Sequence, residues 1–287
     1  MRGQANRRLV LAALASLAAA AASPALARPL DEVTSSGVLR VALYRDNAPF
    51  SDEIDGEPVG IDVDIAKNIA EAIGVKPEIR IVEASENVDG DFRLSLWRGD
   101  LAGSGLADVM LNVPSDKMLQ LRNDMVFFTP PYVEQRLAIA YRKGAVEGGF
   151  QDLQDIGGKT VAVEGTSPVD ALIGFANGGA LRDAIRHYRG FAEAAGAFRR
   201  RETDFLAGSR AAIEAALKDD KTGEIELKDL AGSGLVKPRW ELCGAVRTDS
   251  RDLAYRIGEA ITAMTAGGEM KAIFAAHGAT FTAPAGY

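Results

Sequence analysis

The chain of 287 residues has few cysteines and histidines and no excess of basic residues. Its single cysteine, Cys243, excludes an internal disulfide and any metal site built from several cysteines. Its two histidines, His187 and His277, lie far apart and form neither an HxxxH nor an HExxH pattern. Basic residues number 33 against 40 acidic ones, so no excess of Lys and Arg is present to neutralise nucleic-acid phosphates. The sequence therefore predicts no metal centre, no cofactor and no nucleic-acid partner.

The first 27 residues have the three parts of a secretory signal peptide. A basic start contains three arginines, Arg2, Arg7 and Arg8. The apolar run that follows, residues 9–22, is shorter than the ~20 residues that a membrane-spanning helix needs. Ala25 and Ala27 occupy the positions that signal peptidase reads. We expect cleavage after Ala27 and a mature protein in the periplasm, with both the general and the twin-arginine export routes open.

The mature chain alternates apolar strands with amphipathic helices, which predicts an α/β fold with parallel sheets. Strands are predicted at 38–43, 78–82, 108–112, 137–141, 160–163 and 243–246. Helices are predicted at 63–73, 168–175, 192–198, 211–217, 253–264 and 270–276. A chain of about 260 residues is long enough to divide into two cores. We predict one lobe from residues 28–137 with 246–287, and a second lobe from residues 138–245.

The order of several short segments resembles the family 3 extracellular solute-binding proteins, which are the receptors of ABC importers for polar amino acids. The segments that carry the resemblance are Gly37–Leu43, Ala48–Ser51, Gly60–Lys67, Ala107–Met110, Phe128–Tyr132, Gly158–Thr166, Cys243–Arg247 and Met270–Ile273. The resemblance implies a two-lobed periplasmic-binding-protein fold of type II (Venus flytrap), with two hinge strands. It also implies a monomer that is not an enzyme, binds a small molecule between its lobes and delivers it to an ABC permease.

The resemblance suggests two residues that would hold the ends of an amino-acid ligand. Arg122 lies six residues before Phe128, where the family has the arginine that binds the ligand carboxylate. A two-residue insertion after Asp108 is needed to bring it there. Ser209 occupies the position of the aspartate that pairs with the ligand ammonium, and a hydroxyl cannot balance that charge. The sequence therefore predicts a small organic ligand, a carboxylate rather than a standard amino acid.

Four further residues are candidates for ligand binding. Thr166 and Ser167 precede Pro168 and form a helix N-terminus whose free N–H groups are suited to an anion, although a plain helix cap explains them equally well. Phe50 lies where the family stacks an aromatic ring on its ligand, and Tyr44 lies just upstream. Either aromatic residue could instead belong to the core.

Two other functions are compatible with the same fold. The chain is similar, around Asp108–Pro114 and Arg201–Ala211, to a receptor-like protein of periplasmic quinoprotein methanol dehydrogenase systems, which implies a dehydrogenase or cytochrome partner. The fold also hosts periplasmic dehydratases of prephenate-like acids, and Glu164 is the cleft-side acid that such chemistry would use. No histidine lies in the motif regions. We therefore predict no catalytic residue.

Overall fold

The computed structural model of the protein describes residues 28–99, 105–232 and 234–285. The signal peptide predicted for residues 1–27 lies outside the described residues. Among those described, no helix combines the length and the apolar character that crossing a bilayer requires.

The strands and helices alternate along most of the chain. The strands are β1 Val38–Tyr44, β2 Asp52–Ile54, β3 Glu57–Val59, β4 Lys76–Val82, β5 Val109–Pro114, β6 Val126–Phe128, β7 Val133–Arg142, β8 Val161–Glu164, β9 Ile185–Tyr188, β10 Phe205–Ser209, β11 Ile225–Asp229 and β12 Arg239–Arg247. The helices are α1 Leu30–Ser36, α2 Ile61–Ile73, α3 Val88–Phe92, α4 Lys117–Arg122, α5 Pro168–Phe175, α6 Phe191–Arg199, α7 Arg210–Leu217, α8 Arg251–Gly267 and α9 Glu269–Ala276.

The first lobe is built on the strand order β4-β1-β5-β12, with β6 added beside β12. β1 runs parallel to both β4 and β5. Helix α2 buries a stripe of small and branched apolar side chains against this sheet and against α8, because its apolar residues recur at helical spacing. The helix ends at Gly74, as the sequence predicts, and that glycine has a φ of 86°. Cys243 is fully buried in β12.

The second lobe is built around β7, which pairs antiparallel with β10 and with β11. β8 lies parallel to β10 and β9 lies parallel to β8. The aromatic rings of Tyr141, Phe150 and Phe205 pack together in its core. The N-caps of α5 and α7, Ser167 and Ser209, lie at the same edge of the sheet, because each helix follows one of the parallel strands β8 and β10.

Two antiparallel strands connect the lobes. The start of β7, from Val133 to Arg136, pairs with the start of β12, from Arg239 to Leu242. β12 then pairs antiparallel with β5. The predicted α/β class is confirmed, but the sheets are mixed rather than parallel, because a chain that enters and leaves the second lobe must cross in opposite directions. The exact lobe boundaries given above stay a prediction.

Candidate functional site

A cavity of about 180 Å³ lies between the two lobes, beside the connecting strands. The connecting strands form its floor through Gln135, Leu137, Trp240 and Leu242. Side chains from both lobes form its walls. A ligand in this cavity would therefore contact both lobes and both connections at once.

The wall of the first lobe is the loop that follows β1, with Asn112 beside it. Asp46, Asn47 and Phe50 of this loop line the cavity. Phe50 is only 2% exposed, and its ring packs edge-on against Phe274 with centroids 6.0 Å apart. Phe50 thus belongs to the core and also contributes to the cleft.

A buried carboxyl group supports this wall from behind. Asp62, in the first turn of α2, is fully buried and accepts hydrogen bonds from the Tyr132 hydroxyl at 2.8 Å and from the Asn112 amide at 2.7 Å. The Tyr132 hydroxyl also accepts a hydrogen bond from the backbone N–H of Asn112, at 3.1 Å. Burial raises the pKa of Asp62 to about 7, although both side-chain hydrogen bonds lower it. This network fixes Asn112, whose φ is 63°, at the edge of the cavity.

Two helix caps form part of the opposite wall. The Ser167 hydroxyl accepts a hydrogen bond from the Asp170 N–H and donates one to the Glu164 carbonyl. The Ser209 hydroxyl accepts one from the Ala212 N–H, at 3.2 Å. Both predicted serines therefore line the cavity, and both hydroxyls already serve as helix caps.

An aromatic ring covers the end of β10 in the same wall. Phe191, the first residue of α6, packs directly over Gly208. A side chain at Gly208 would overlap with that ring, so glycine is required for Phe191 to reach the cavity.

Three of the predicted residues lie elsewhere. Arg122, the last residue of α4, does not line the cavity: its Nε lies 3.0 Å from the Asp89 carboxylate, and its side chain is 55% exposed. Asp116 caps α4, so the longer segment forms a surface helix instead of carrying the arginine inward. The Tyr44 hydroxyl donates to Asp91 at 2.7 Å within the first lobe. Thr166 is exposed on a separate surface of the second lobe.

The charged residues that line the cavity are both acidic. Asp46 comes from the first lobe and Glu164 from the second. Burial raises the pKa of Glu164, and the negative charge of Asp46 raises it further. Among the described lining residues there is no Lys, Arg or His. Arg189 and Arg199 contribute to an outer groove at the mouth of the cleft.

Several residues that line the cavity were not predicted from the sequence. Gln135 and Trp240 lie on the two connecting strands, and only their pairing places them in the cleft. Two others could have been found from the sequence: Asp46 is a polar residue just after β1, and Asn112 is a polar residue inside the otherwise apolar strand β5. Over the described ranges, no group of three or more His, Cys, Asp or Glu side chains is arranged to hold a metal ion.

Comparison with known proteins matches the chain to a family model and to a curated relative. The model of the bacterial extracellular solute-binding proteins, family 3, matches residues 39–93. Cyclohexadienyl dehydratase from Pseudomonas aeruginosa is 37% identical over 125 residues, which are 43% of this chain and 41% of that protein. The chain thus spans about two fifths of the length of this relative.

Solved structures match over most of both chains. An ancestral cationic amino acid solute-binding protein has a TM-score of 0.66 at 20% identity, covering 87% of this chain and 99% of its own. An amino acid ABC transporter substrate-binding protein from Streptococcus pneumoniae, bound to L-arginine, has a TM-score of 0.61 at 20% identity, covering 88% and 99%. A mutant of ArgBP from T. maritima has a TM-score of 0.56 at 26% identity, covering 85% and 96%. These matches confirm the two-lobed fold.

The resemblance predicted from the sequence is therefore confirmed: the chain carries the sequence pattern of the family 3 extracellular solute-binding proteins in its N-terminal part and has the two-lobed fold of such receptors.

Proposed function

We propose that the protein is a periplasmic solute-binding protein that captures a small organic molecule between its lobes and delivers it to an ABC permease. The observation that carries this proposal is the cavity at the connecting strands, lined from both lobes. Binding sites of small molecules are concave, largely apolar and placed at domain interfaces, with a few polar groups for orientation.

The ligand is proposed to differ from a standard amino acid. Ser209 supplies no negative charge, and its hydroxyl caps α7. Arg122 is paired with Asp89 away from the cavity, so the described lining of the cavity has no guanidinium for a ligand carboxylate. The prediction of a carboxylate ligand relied on Arg122, which does not line the cavity.

Thermal-shift screening of the mature protein against a library of small metabolites tests this function. We expect at least one small solute to raise the melting temperature and to bind in calorimetry, because a ligand that binds only the folded state stabilises it. We expect the twenty standard amino acids to bind weakly. Sub-micromolar binding of any of them would contradict the proposed ligand class, and a library without any binder would contradict the function.

A dehydratase activity is the second candidate, favoured by the partial match to cyclohexadienyl dehydratase and by Glu164 in the cleft. A carboxyl whose pKa is raised by burial is suited to donate a proton. An anionic substrate, however, would meet two carboxylates and no cation among the described lining residues. We expect no turnover of a cyclohexadienyl acid, and turnover that Glu164→Gln abolishes would establish the enzyme instead.

The partner in a quinoprotein methanol dehydrogenase system stays a prediction. Co-purification with an exported quinoprotein dehydrogenase or cytochrome, in place of binding to a permease, would favour it. The genes that neighbour the coding sequence separate the two partners directly.

A further inference from the structure

The two carboxylates of the cavity are not paired with a cation in the described ranges, although Arg189 and Arg199 line the outer groove that both carboxylates also border. Asp46 lines the cavity from the first lobe and Glu164 from the second. The negative charge of Asp46 raises the pKa of Glu164. Neither side chain forms an ion pair or a hydrogen bond with any residue in the described ranges. Like charges that face the same cavity repel one another. A positive group between them would remove that repulsion and would attract both lobes.

Two amide side chains at the cavity are also without partners. Gln135 is 8% exposed and lines the floor of the cavity, and its carboxamide has no hydrogen-bond partner among the described residues. The Asn47 amide nitrogen also has no hydrogen-bond partner within the described ranges, but it is closed to solvent and therefore out of a ligand's reach. Buried amides are costly unless they are hydrogen-bonded. The cavity thus offers a ligand at least one donor and one acceptor in addition to the two carboxylates.

The rest of the lining argues for an organic cation instead of a bare metal ion. Phe191, Trp240, Leu137 and Leu242 form apolar surfaces of the cavity. A calcium ion takes six to eight oxygen ligands, whereas an organic ammonium is stabilised by aromatic faces as well as by carboxylates. The volume of about 180 Å³ is close to that of the roughly 150 Å³ cavity that accepts benzene, so the ligand is compact.

We propose that the cleft binds a compact protonated organic amine that carries a neutral polar group and no carboxylate. Its ammonium lies between Asp46 and Glu164, its neutral polar group bonds the amide of Gln135, and its carbon chain contacts Phe191 and Trp240. This inference rests on the proposed solute-binding function and names its ligand class.

Calorimetry with three probes tests the charge of the ligand. The mature protein is titrated at pH 7.5 with 3-amino-1-propanol, with 3-hydroxypropionate as an anion of similar size, and with calcium chloride. We expect the amino alcohol to bind and the other two to give no heat of binding. Binding of 3-hydroxypropionate without the amine would overturn the amine while the solute-binding function stands. Tighter binding of calcium would assign the carboxylates to a metal. If no probe binds, the amine inference fails, and the library screen alone decides the proposed function.

Variants test whether the two carboxylates hold the amine. Glu164→Gln and Asp46→Asn should each weaken binding of 3-amino-1-propanol by about ten- to a hundredfold, as expected for a charge-assisted contact. Glu147→Gln removes the same charge from an exposed position beyond the far end of β7 and should bind as the wild type does. Gln135→Leu should weaken binding without changing the preference for the amine over the anion. Equal affinities of the wild type and Glu164→Gln would overturn the proposal.

Discussion

Gly60→Ala should lower the free energy of unfolding by about 3 kcal/mol or more. Gly60 has a φ of 128°, a conformation that residues with a side chain rarely adopt, and a Cβ there would overlap with the carbonyl of Phe50. That carbonyl accepts a hydrogen bond from the Asp62 N–H, and the Pro49 carbonyl accepts one from the Ile61 N–H. The substitution would therefore separate the start of α2 from the loop that forms the cleft wall.

Gly56→Ala is the matched control. Gly56 also has a positive φ, of 82°, but a Cβ added there would have no neighbour within 4 Å. It thus carries the backbone strain without the overlap. Denaturant unfolding of both variants measures the difference, and equal losses of stability would contradict the close packing of Gly60 against Phe50.

Asp62→Asn should change how stability depends on pH. Asp62 keeps its proton to about pH 7 in the folded protein, against a reference pKa of 3.8, so the folded state binds more protons than the unfolded state between these values. The wild type therefore loses stability from this group as the pH rises from about 4 to about 7, by up to about 4 kcal/mol. Asparagine does not ionise, so the stability of the variant relative to the wild type should increase over that window.

Asp64→Asn, two residues along the same helix, is the control of opposite sign. Partial burial raises the pKa of Asp64, but hydrogen bonds from His277 and Lys67 lower it, so the pKa lies below its ordinary value overall. This carboxylate therefore stabilises the fold above its unfolded pKa, and stability is lost as the pH falls. Relative to the wild type, Asp64→Asn should lose stability at neutral pH. Denaturant unfolding at a series of pH values measures both variants, and a pH-independent difference for Asp62→Asn would contradict its buried proton.

Regular elements with a strong apolar period were predictable from the sequence. The helix predicted at 63–73 is α2, and the strand predicted at 38–43 is β1, each within two residues. Strands β9 and β11 were missed because half or more of their residues are partly exposed and polar, and their place in the sheet comes from pairing with β8 and β7. Tertiary context, which local patterns do not contain, decides such strands.

The cleft was harder to predict than the fold. Ser209 and Phe50 were selected because they match positions of the family's ligand contacts, and Ser167 because it lies at a predicted helix start; all three line the cavity. Gln135 was missed because its place in the cavity depends on the pairing of two strands that lie about a hundred residues apart in the sequence. Arg122 was selected by spacing, and spacing does not reveal that the longer segment forms a capped surface helix.

The most direct test that the cavity between the lobes is the binding site uses two variants in which an alanine is replaced by phenylalanine. Binding of the best library ligand to each variant is measured. Ala212 lines the cavity and is 8% exposed, whereas Ala272 is exposed on α9. Calorimetry should show no binding to Ala212→Phe, because the ring fills the cavity, and wild-type affinity for Ala272→Phe. The far-ultraviolet circular dichroism and melting curve of each variant report whether it is folded. Wild-type affinity of a folded Ala212→Phe would contradict a ligand held between the lobes.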